Sequence, residues 1–201
     1  MIGSTFPAML RAAASGDELA FGVLWRDLQP HLLRYFKVFA PGAAEDLASE
    51  TWIGVVRSIG HFRGGEPAFR AWIFTIAHHQ ALDWQRRTAR RATYELPATG
   101  LADPAAPDDP AATALEGVST RAAVALIASL PAHQAEAIML RVVAGLDVGR
   151  VAAILGKPPG AVRVLTHRGL RRHWRSDSAP TLVSMGRCNA AAAADPPTRM
   201  R

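Results

Sequence analysis

Apolar residues recur every three or four positions along most of the chain, and this spacing predicts α-helices. The longest stretch runs from Glu18 to Phe39. Its apolar positions share one helix face: Phe21, Leu24, Leu28, Leu32, Tyr35 and Phe39. Pro30 interrupts the stretch, so we expect a kink or two abutting helices there. Pro41 and Gly42 end it.

Two further helices are predicted before residue 92. The first carries Glu45 and Asp46 in its first turn, where carboxylates favour the positive end of the helix dipole, and Gly60 ends it. Its inner face is expected to hold Leu47, Thr51, Val55 and Ile59. A loop from His61 to Glu66 follows, and Pro67 suits the first turn of the next helix. That helix is expected to bury Phe69, Trp72, Ile73, Ile76 and Trp84.

The second half repeats the helical spacing. Helices are expected over 121–129, 131–144, 147–155 and 158–172. Asp147 is a natural N-cap and Gly156 supplies a turn. In the last helix, the residues expected to face inward are Val162, Leu165 and Leu170. No stretch favours strands, so the predicted fold class is all-α.

Proline content divides the chain into two small helical domains. Residues 97–110 contain four prolines among small and acidic residues, and such a segment cannot bury enough surface to fold. The expected organisation is an N-terminal extension (1–17), a first domain (18–92), a flexible acidic linker (93–118), a second domain (119–175) and a disordered tail (176–201). The two domains are expected to be separate lobes on this tether.

The net charge of +6 favours polyanionic partners, and the basic residues are concentrated in two segments. Segment 61–91 holds six arginines against Glu66 and Asp83. Segment 157–175 holds Lys157 and five arginines with no acid. Two cationic patches therefore flank the acidic linker.

Several classes of protein are disfavoured. The single cysteine, Cys188, allows no internal disulfide and no zinc site built on paired cysteines. The adjacent His78 and His79 cannot share a helix face, so neither a metal nor any other cofactor is expected. No apolar run approaches the ~20 residues of a membrane span. The segment Met1 to Leu10 is a poor signal peptide, so we expect a cytoplasmic protein without membrane insertion.

Residues 147–172 have the layout of a helix-turn-helix, in which the second helix enters the DNA major groove. Arg163 stands where a guanidinium can bond to the O6 and N7 atoms of guanine. The later arginines suit phosphate contacts. The pattern alone fits an ordinary helical hairpin with a solvated basic face equally well.

The order of the segments resembles the extracytoplasmic-function (ECF) RNA polymerase sigma factors. Their region 2 is similar to AEDLASETWIGVVRSIGHFRGGEPAFRAWIFTIAHHQALDWQRR, and their region 4 to SLPAHQAEAIMLRVVAGLDVGRVAAILGKPPGAVRVLTHRGLRR. The likeness covers about residues 18–91 and 119–175, with an acidic linker between them. The family usually has Gln where Ser49 stands, Asn where His79 stands, and Ser or Thr where Asp147 and Ala161 stand.

The resemblance implies a protein that binds core RNA polymerase, recognises promoter DNA, melts the −10 element and directs transcription initiation. The implied polymerase-docking residues are Asp46, Leu47, Glu50 and Trp52. The implied −10 residues are His61, Phe62, Arg63, His79, Asp83, Arg86 and Arg87, with Phe62 lining a pocket for one extruded base. The implied −35 residues are Pro158, Arg163, Thr166, His167, Arg168 and Arg171. The family also implies an anti-sigma protein as a partner.

Two alternatives remain at this point. A free-standing helix-turn-helix regulator would bind duplex DNA without polymerase. An enzyme acting on nucleic acid would need a nucleophile or a metal set, whereas His79 and Asp83 are the one close acid–histidine pair and have no nucleophile beside them. We therefore expect no catalytic activity.

Overall fold

A computed structural model describes residues 2–94 and 114–175, and within these ranges the chain is helical without a strand. Most of the predicted linker and the whole predicted tail lie outside the described residues. The helices are α1 (Phe6–Ala14), α2 (Glu18–Phe39), α3 (Ala44–Ser58), α4 (Glu66–Tyr94), α5 (Ala114–Ala128), α6 (Ala132–Ile138), α7 (Val148–Leu155) and α8 (Pro159–Arg175). The all-α prediction is confirmed.

The first two helices differ from the prediction: α1 is an additional helix, and α2 is not interrupted. Helix α1 was not predicted, yet it buries Phe6, whose ring centroid lies 5.5 Å from that of Phe69 in α4. Helix α2 begins after Asp17, whose side chain accepts a hydrogen bond from the Ala20 amide at 2.8 Å. It continues through Pro30 rather than splitting in two. Pro30 is exposed, so water can hydrate the carbonyl that the ring leaves without a partner.

Helices α2, α3 and α4 pack against one another and form the core of the first lobe (residues 2–94). The inner face predicted for α3 is confirmed, since all four residues are buried: Leu47, Thr51, Val55 and Ile59. In α4, Phe69 and Ile73 are buried, whereas Trp72, Ile76 and Trp84 are partly buried and pack against the core.

The second lobe (residues 114–175) starts earlier than predicted, because α5 begins at Ala114 within the expected linker. Helix α6 continues as a π-helical turn, Met139–Val143, and Gly145 follows at a φ of 68°. In α8, Val162 is buried and Leu165 is half-buried. Leu170 is 38% exposed, so its predicted inward position is wrong. It stands beside Gly169, which takes the inward position where α8 meets α6.

The chain forms two helical domains, as predicted, and these two lobes are in contact with each other. Helix α5 and the π-helical turn contact α2, and α7 contacts α4. Buried apolar residues of both lobes form one continuous core. The acidic side chain of Glu136 in α6 reaches across to Tyr35 in α2 and His78 in α4.

The described residues contain neither a membrane-spanning helix nor a metal-binding cluster. No helix there is both long enough and apolar enough to cross a bilayer. The same residues hold no cluster of three His, Cys, Asp or Glu side chains that could bind a metal ion.

The contact at Gly169 gives a prediction about stability. A Cβ there would lie 2.6 Å from Cδ1 of the buried Ile138, so Gly169→Ala overpacks the α6–α8 contact. Overpacking costs about 1–3 kcal/mol and better helix propensity returns about 1 kcal/mol, so we expect the free energy of unfolding to fall by about 1 kcal/mol.

The matched control is Gly160→Ala in the same helix, where an added Cβ meets nothing within 4 Å. Thermal unfolding of both variants should show a lower Tm for Gly169→Ala alone. Equal gains in Tm would contradict the close approach of α8 to α6.

Candidate nucleic-acid interface

The predicted helix-turn-helix is formed by α7 and α8. The Asp147 carboxylate accepts a hydrogen bond from the Arg150 amide at 2.9 Å and so caps α7, and it also pairs with the Arg150 guanidinium. Gly156 takes the left-handed conformation, with φ 60°, that turns the chain between the helices. Val151 of α7 and Val162 of α8 are fully buried in the core that these helices share.

The outward face of α8 is cationic. Its exposed side chains are Arg163, Val164, His167, Arg168 and Arg171. Pro158 is exposed just before the helix. Thr166 is half-buried and donates its hydroxyl to the Val162 carbonyl at 2.9 Å, so its hydroxyl proton is already engaged.

Among the residues that the structure describes, acidic side chains do not neutralise this face. Among the described residues, no carboxylate forms an ion pair with Arg163, Arg168 or Arg171. Unpaired guanidinium groups on one side of a helix, at a turn of this geometry, suit the bases and phosphates of a major groove.

Phe62 lies on the loop before α4 and packs on an aromatic cluster. Its ring is stacked on that of Trp72, with centroids 5.1 Å apart and planes 29° apart, and it meets Phe69 edge-on at 5.3 Å. A Cβ at Gly64, where φ is 153°, would lie 3.1 Å from Cζ of Phe62. The ring is therefore fixed in position but only half-buried, which leaves part of it accessible.

Other contacts fix the backbone of this loop. The Arg63 guanidinium folds back and donates to the carbonyls of Gly60 and Phe62, both at 2.8 Å, while His61 is exposed. The Glu66 carboxylate accepts hydrogen bonds from the Ile2 amide at 2.9 Å and the Gly3 amide at 2.8 Å. The segment before α1 therefore braces the start of α4.

The remaining predicted −10 residues lie on α4. His79, Asp83, Arg86 and Arg87 are all exposed. Asp83 pairs with Arg86 at 3.3 Å rather than with His79, and both side chains of this pair are largely in solvent. The acid–histidine pair considered for catalysis is therefore not formed, and the face presents a cationic helix end instead.

The residues predicted to dock on polymerase divide into two groups. Asp46 and Glu50 are exposed on α3. Leu47 and Trp52 are 2% and 6% exposed, and the Trp52 indole donates to the Gln29 side chain at 2.7 Å. Both side chains hold α3 in place in this structure, and their direct contact with a partner stays a prediction.

The structure adds apolar residues to the exposed face of α3. Ile53 and Val56 are 50% and 57% exposed. Nearby, Val56 and the half-exposed Trp25 of α2 line one open groove. Ile53 and Val56 stand three and six positions after Glu50, where an isolated amphipathic helix would carry polar residues, and this signal was available in the sequence.

Two protein-family models match the chain. The model of Sigma-70 region 2 matches residues 24–91, and that of Sigma-70 region 4 matches residues 120–172. The chain is 35% identical to the ECF RNA polymerase sigma factor ShbA of Streptomyces griseus over 82% of this chain and 91% of ShbA. It is 32% identical to the ECF RNA polymerase sigma factor SigD of Mycobacterium tuberculosis over 86% of this chain and 84% of SigD.

A solved structure has a similar fold. CnrH, whose structure was solved in complex with the cytosolic domain of CnrY, matches 87% of this chain and 100% of its own, with a TM-score of 0.58 and 21% sequence identity. At that identity the likeness concerns the fold.

The cap on α7 gives a second prediction. Asp147→Ala should lower the free energy of unfolding by about 1 kcal/mol, because the Arg150 amide loses its acceptor. Asp147→Asn keeps an acceptor and loses the charge, so it should cost less than half as much in urea unfolding of the full chain. If Asn costs as much as Ala, the ion pair with Arg150, and not the cap, stabilises this turn.

Proposed function

The chain belongs to the ECF RNA polymerase sigma factors, and from this premise we propose which of its surfaces bind polymerase and which read the promoter. It is a sigma factor, so it recruits core RNA polymerase to promoters and starts transcription. The observation that carries the assignment of surfaces is the cationic face of α8, with Arg163, His167, Arg168 and Arg171 exposed together. We propose that the protein acts by binding alone.

The first proposed surface is the exposed face of α3, which we name the docking face: Asp46, Glu50, Ile53 and Val56. Its acidic half suits a basic groove of core polymerase, and its apolar half adds burial on contact. Leu47 and Trp52 act from inside by holding α3 against α2 and α4.

The second proposed surface is the face of α8, which reads the −35 element as duplex DNA. Arg163 lies near the N-terminal end of α8, where side chains reach base edges. Arg168 and Arg171 contact phosphates. Of the proposed −35 residues, Thr166 has the least support for a DNA contact, because its hydroxyl already donates to the Val162 carbonyl.

The third proposed surface runs from the loop at His61, Phe62 and Arg63 to the exposed α4 residues His79, Asp83, Arg86 and Arg87. It captures unpaired bases of the −10 element. Unstacking a base costs a few kcal/mol, and stacking on an aromatic ring returns about 1–3 kcal/mol, so binding energy drives melting. The fixed but half-buried ring of Phe62 supports this role.

We propose domain bounds that differ slightly from the sequence prediction. The family matches over 24–91 and 120–172 support two functional units. The packing of α1 against α2 supports adding residues 2–17 to the first unit, and the course of α5 supports starting the second at Ala114.

A protein regulator is also proposed. CnrH, which shares the fold, is held in complex with the cytosolic domain of CnrY. We propose that this chain has an anti-sigma partner that covers its docking face and so keeps it from core polymerase.

Run-off transcription with purified core polymerase tests the function. Templates carrying random promoter sequences, transcribed with and without the chain, should yield transcripts that depend on it. A gel shift distinguishes a sigma factor from a free-standing helix-turn-helix regulator. A sigma factor should bind the selected templates weakly without core enzyme, whereas the regulator should bind them without it. Tight binding by the chain alone, with no stimulated transcript from any template, would sink the proposal.

The docking face gives a third prediction. Asp46→Arg should weaken core polymerase binding at least about tenfold, since a like charge then faces a basic groove. The control is Lys37→Glu, a charge reversal at an exposed position of α2 outside the proposed surfaces. Affinity measured by fluorescence titration should change for Asp46→Arg and not for the control. Unchanged affinity would remove Asp46 from the docking face.

The face of α8 gives a fourth prediction. Arg163→Ala should lose about 1–3 kcal/mol of discrimination at one base pair of the −35 element, because the bidentate contact to guanine is lost. Arg171→Ala, a phosphate contact, should weaken binding of holoenzyme evenly across sequences and reduce its salt dependence. Competition between −35 variants measures both. An even loss for Arg163→Ala would make it a phosphate contact as well.

A further inference from the structure

The loop that precedes α4 contacts the N-terminal segment of the chain at both of its ends. Before the loop, the turn Ile59–His61 contacts α1. After the loop, the Glu66 carboxylate accepts hydrogen bonds from the Ile2 amide at 2.9 Å and the Gly3 amide at 2.8 Å. Residues 2–14, which we name the N-terminal brace, therefore hold both ends of this loop.

The centre of the loop rests on the same segment through a row of aromatic rings. The Phe62 ring lies 5.3 Å from that of Phe69 between centroids, and Phe69 lies 5.5 Å from Phe6 in α1. Phe6 and Phe69 are 2% and 1% exposed, whereas Phe62 is half-buried. Phe6 thus supports Phe69 from inside, and Phe69 supports the accessible ring of Phe62.

The loop itself has little that would fix its position. Gly64 and Gly65 give its backbone conformational freedom, which is lost when the loop is held in one shape. The Arg63 guanidinium donates to the Gly60 and Phe62 carbonyls, which belong to the same turn and loop. These bonds shape the loop without attaching it to the helices, so its position depends on the contacts at its ends and on the Phe62 ring.

We propose that the N-terminal brace is a positioning element for promoter melting, which holds the Phe62 ring where it stacks on an unpaired base of the −10 element. This inference rests on the proposed function, because the position of the ring matters only if the loop captures a base. A ring that is fixed before binding loses less conformational freedom on stacking, so it binds a base more tightly than a mobile ring does.

The brace extends the functional unit beyond the part of the chain that the family model covers. The match to Sigma-70 region 2 begins at residue 24, after the end of α1. Phe6 is buried, so it acts through Phe69 and Phe62 rather than by touching DNA or polymerase. It is a positioning residue.

Binding of a single-stranded oligonucleotide to the holoenzyme tests the proposal. The probe is a fluorescein-labelled single strand from the −10 element of a promoter selected by run-off transcription, and anisotropy measures its affinity. Phe62→Ala should weaken binding about tenfold, within the range that stacking of one base contributes. Phe6→Leu keeps an apolar side chain but leaves part of the space behind Phe69 empty, and should weaken binding about fivefold.

The double variant, Phe6→Leu with Phe62→Ala, separates positioning from general destabilisation. Once the Phe62 ring is removed, Phe6→Leu has no ring to misplace, so it should weaken binding by less than about twofold further. A merely structural role predicts the same loss in both backgrounds. Both single variants should bind core polymerase as the wild type does in fluorescence titration, because the docking face consists of exposed residues of α3.

The matched control is Phe36→Leu, the same substitution at a fully buried phenylalanine of α2. The Phe36 ring packs against Tyr35, with centroids 5.6 Å apart. This variant should bind the oligonucleotide within about twofold of wild type, since a change far from the loop is independent of it.

Glu66→Gln tests the attachment at the end of the loop. It keeps an acceptor oxygen but removes the charge that strengthens the bonds to the Ile2 and Gly3 amides, so it should weaken oligonucleotide binding about threefold. If circular dichroism shows that Phe6→Leu loses helical content, Glu66→Gln, measured with and without Phe62→Ala, decides the question in the same way.

Full binding by Phe6→Leu would overturn the proposal, and so would an equal loss with and without the Phe62 ring. Either result, together with weak binding by Phe62→Ala, would leave the proposed function standing. Unchanged binding by Phe62→Ala would instead refute base capture by this loop, and with it the role of the brace.

Discussion

The carboxylate of Glu136 is the constraint on which the arrangement of this protein depends. A charged group in a buried boundary must be paired, and its partners Tyr35 and His78 belong to the other lobe. Tyr35 in turn is held by the aromatic rings that fill the first lobe. The position of the second lobe is therefore coupled to the packing of the first.

Packing of buried side chains also fixes the positions of the functional surfaces. Each helix that carries a proposed contact is fixed by apolar residues on its inner side, such as Trp52 behind α3 and Val162 behind α8. Charged residues remain on the outer side, and among the described residues no carboxylate pairs with Arg163, Arg168 or Arg171 of α8. In the proposed function, binding energy at these surfaces comes from pairing those charges with nucleic acid or polymerase.

Periodicity and capping were sufficient to predict the helices from α2 onward and the helix-turn-helix, because those signals are local. The inward positions of α3 followed for the same reason. Burial of Leu47 and Trp52 could have been anticipated from that face, but the family resemblance assigned them to a partner. Leu170 was misplaced because Gly169, without a side chain, lets α6 approach on that side. The contact of Glu136 with Tyr35 joins residues 101 positions apart, and no local pattern reveals such a pair.

The central claim is the proposal that two surfaces of one chain read two promoter elements when the chain is bound to core polymerase. Hydroxyl-radical footprinting on a promoter selected by transcription tests it most directly. The account predicts simultaneous protection of the −35 and −10 elements by the chain with core enzyme, and no protection by the chain alone at the same concentration. Equal protection of either element by the chain alone would contradict it.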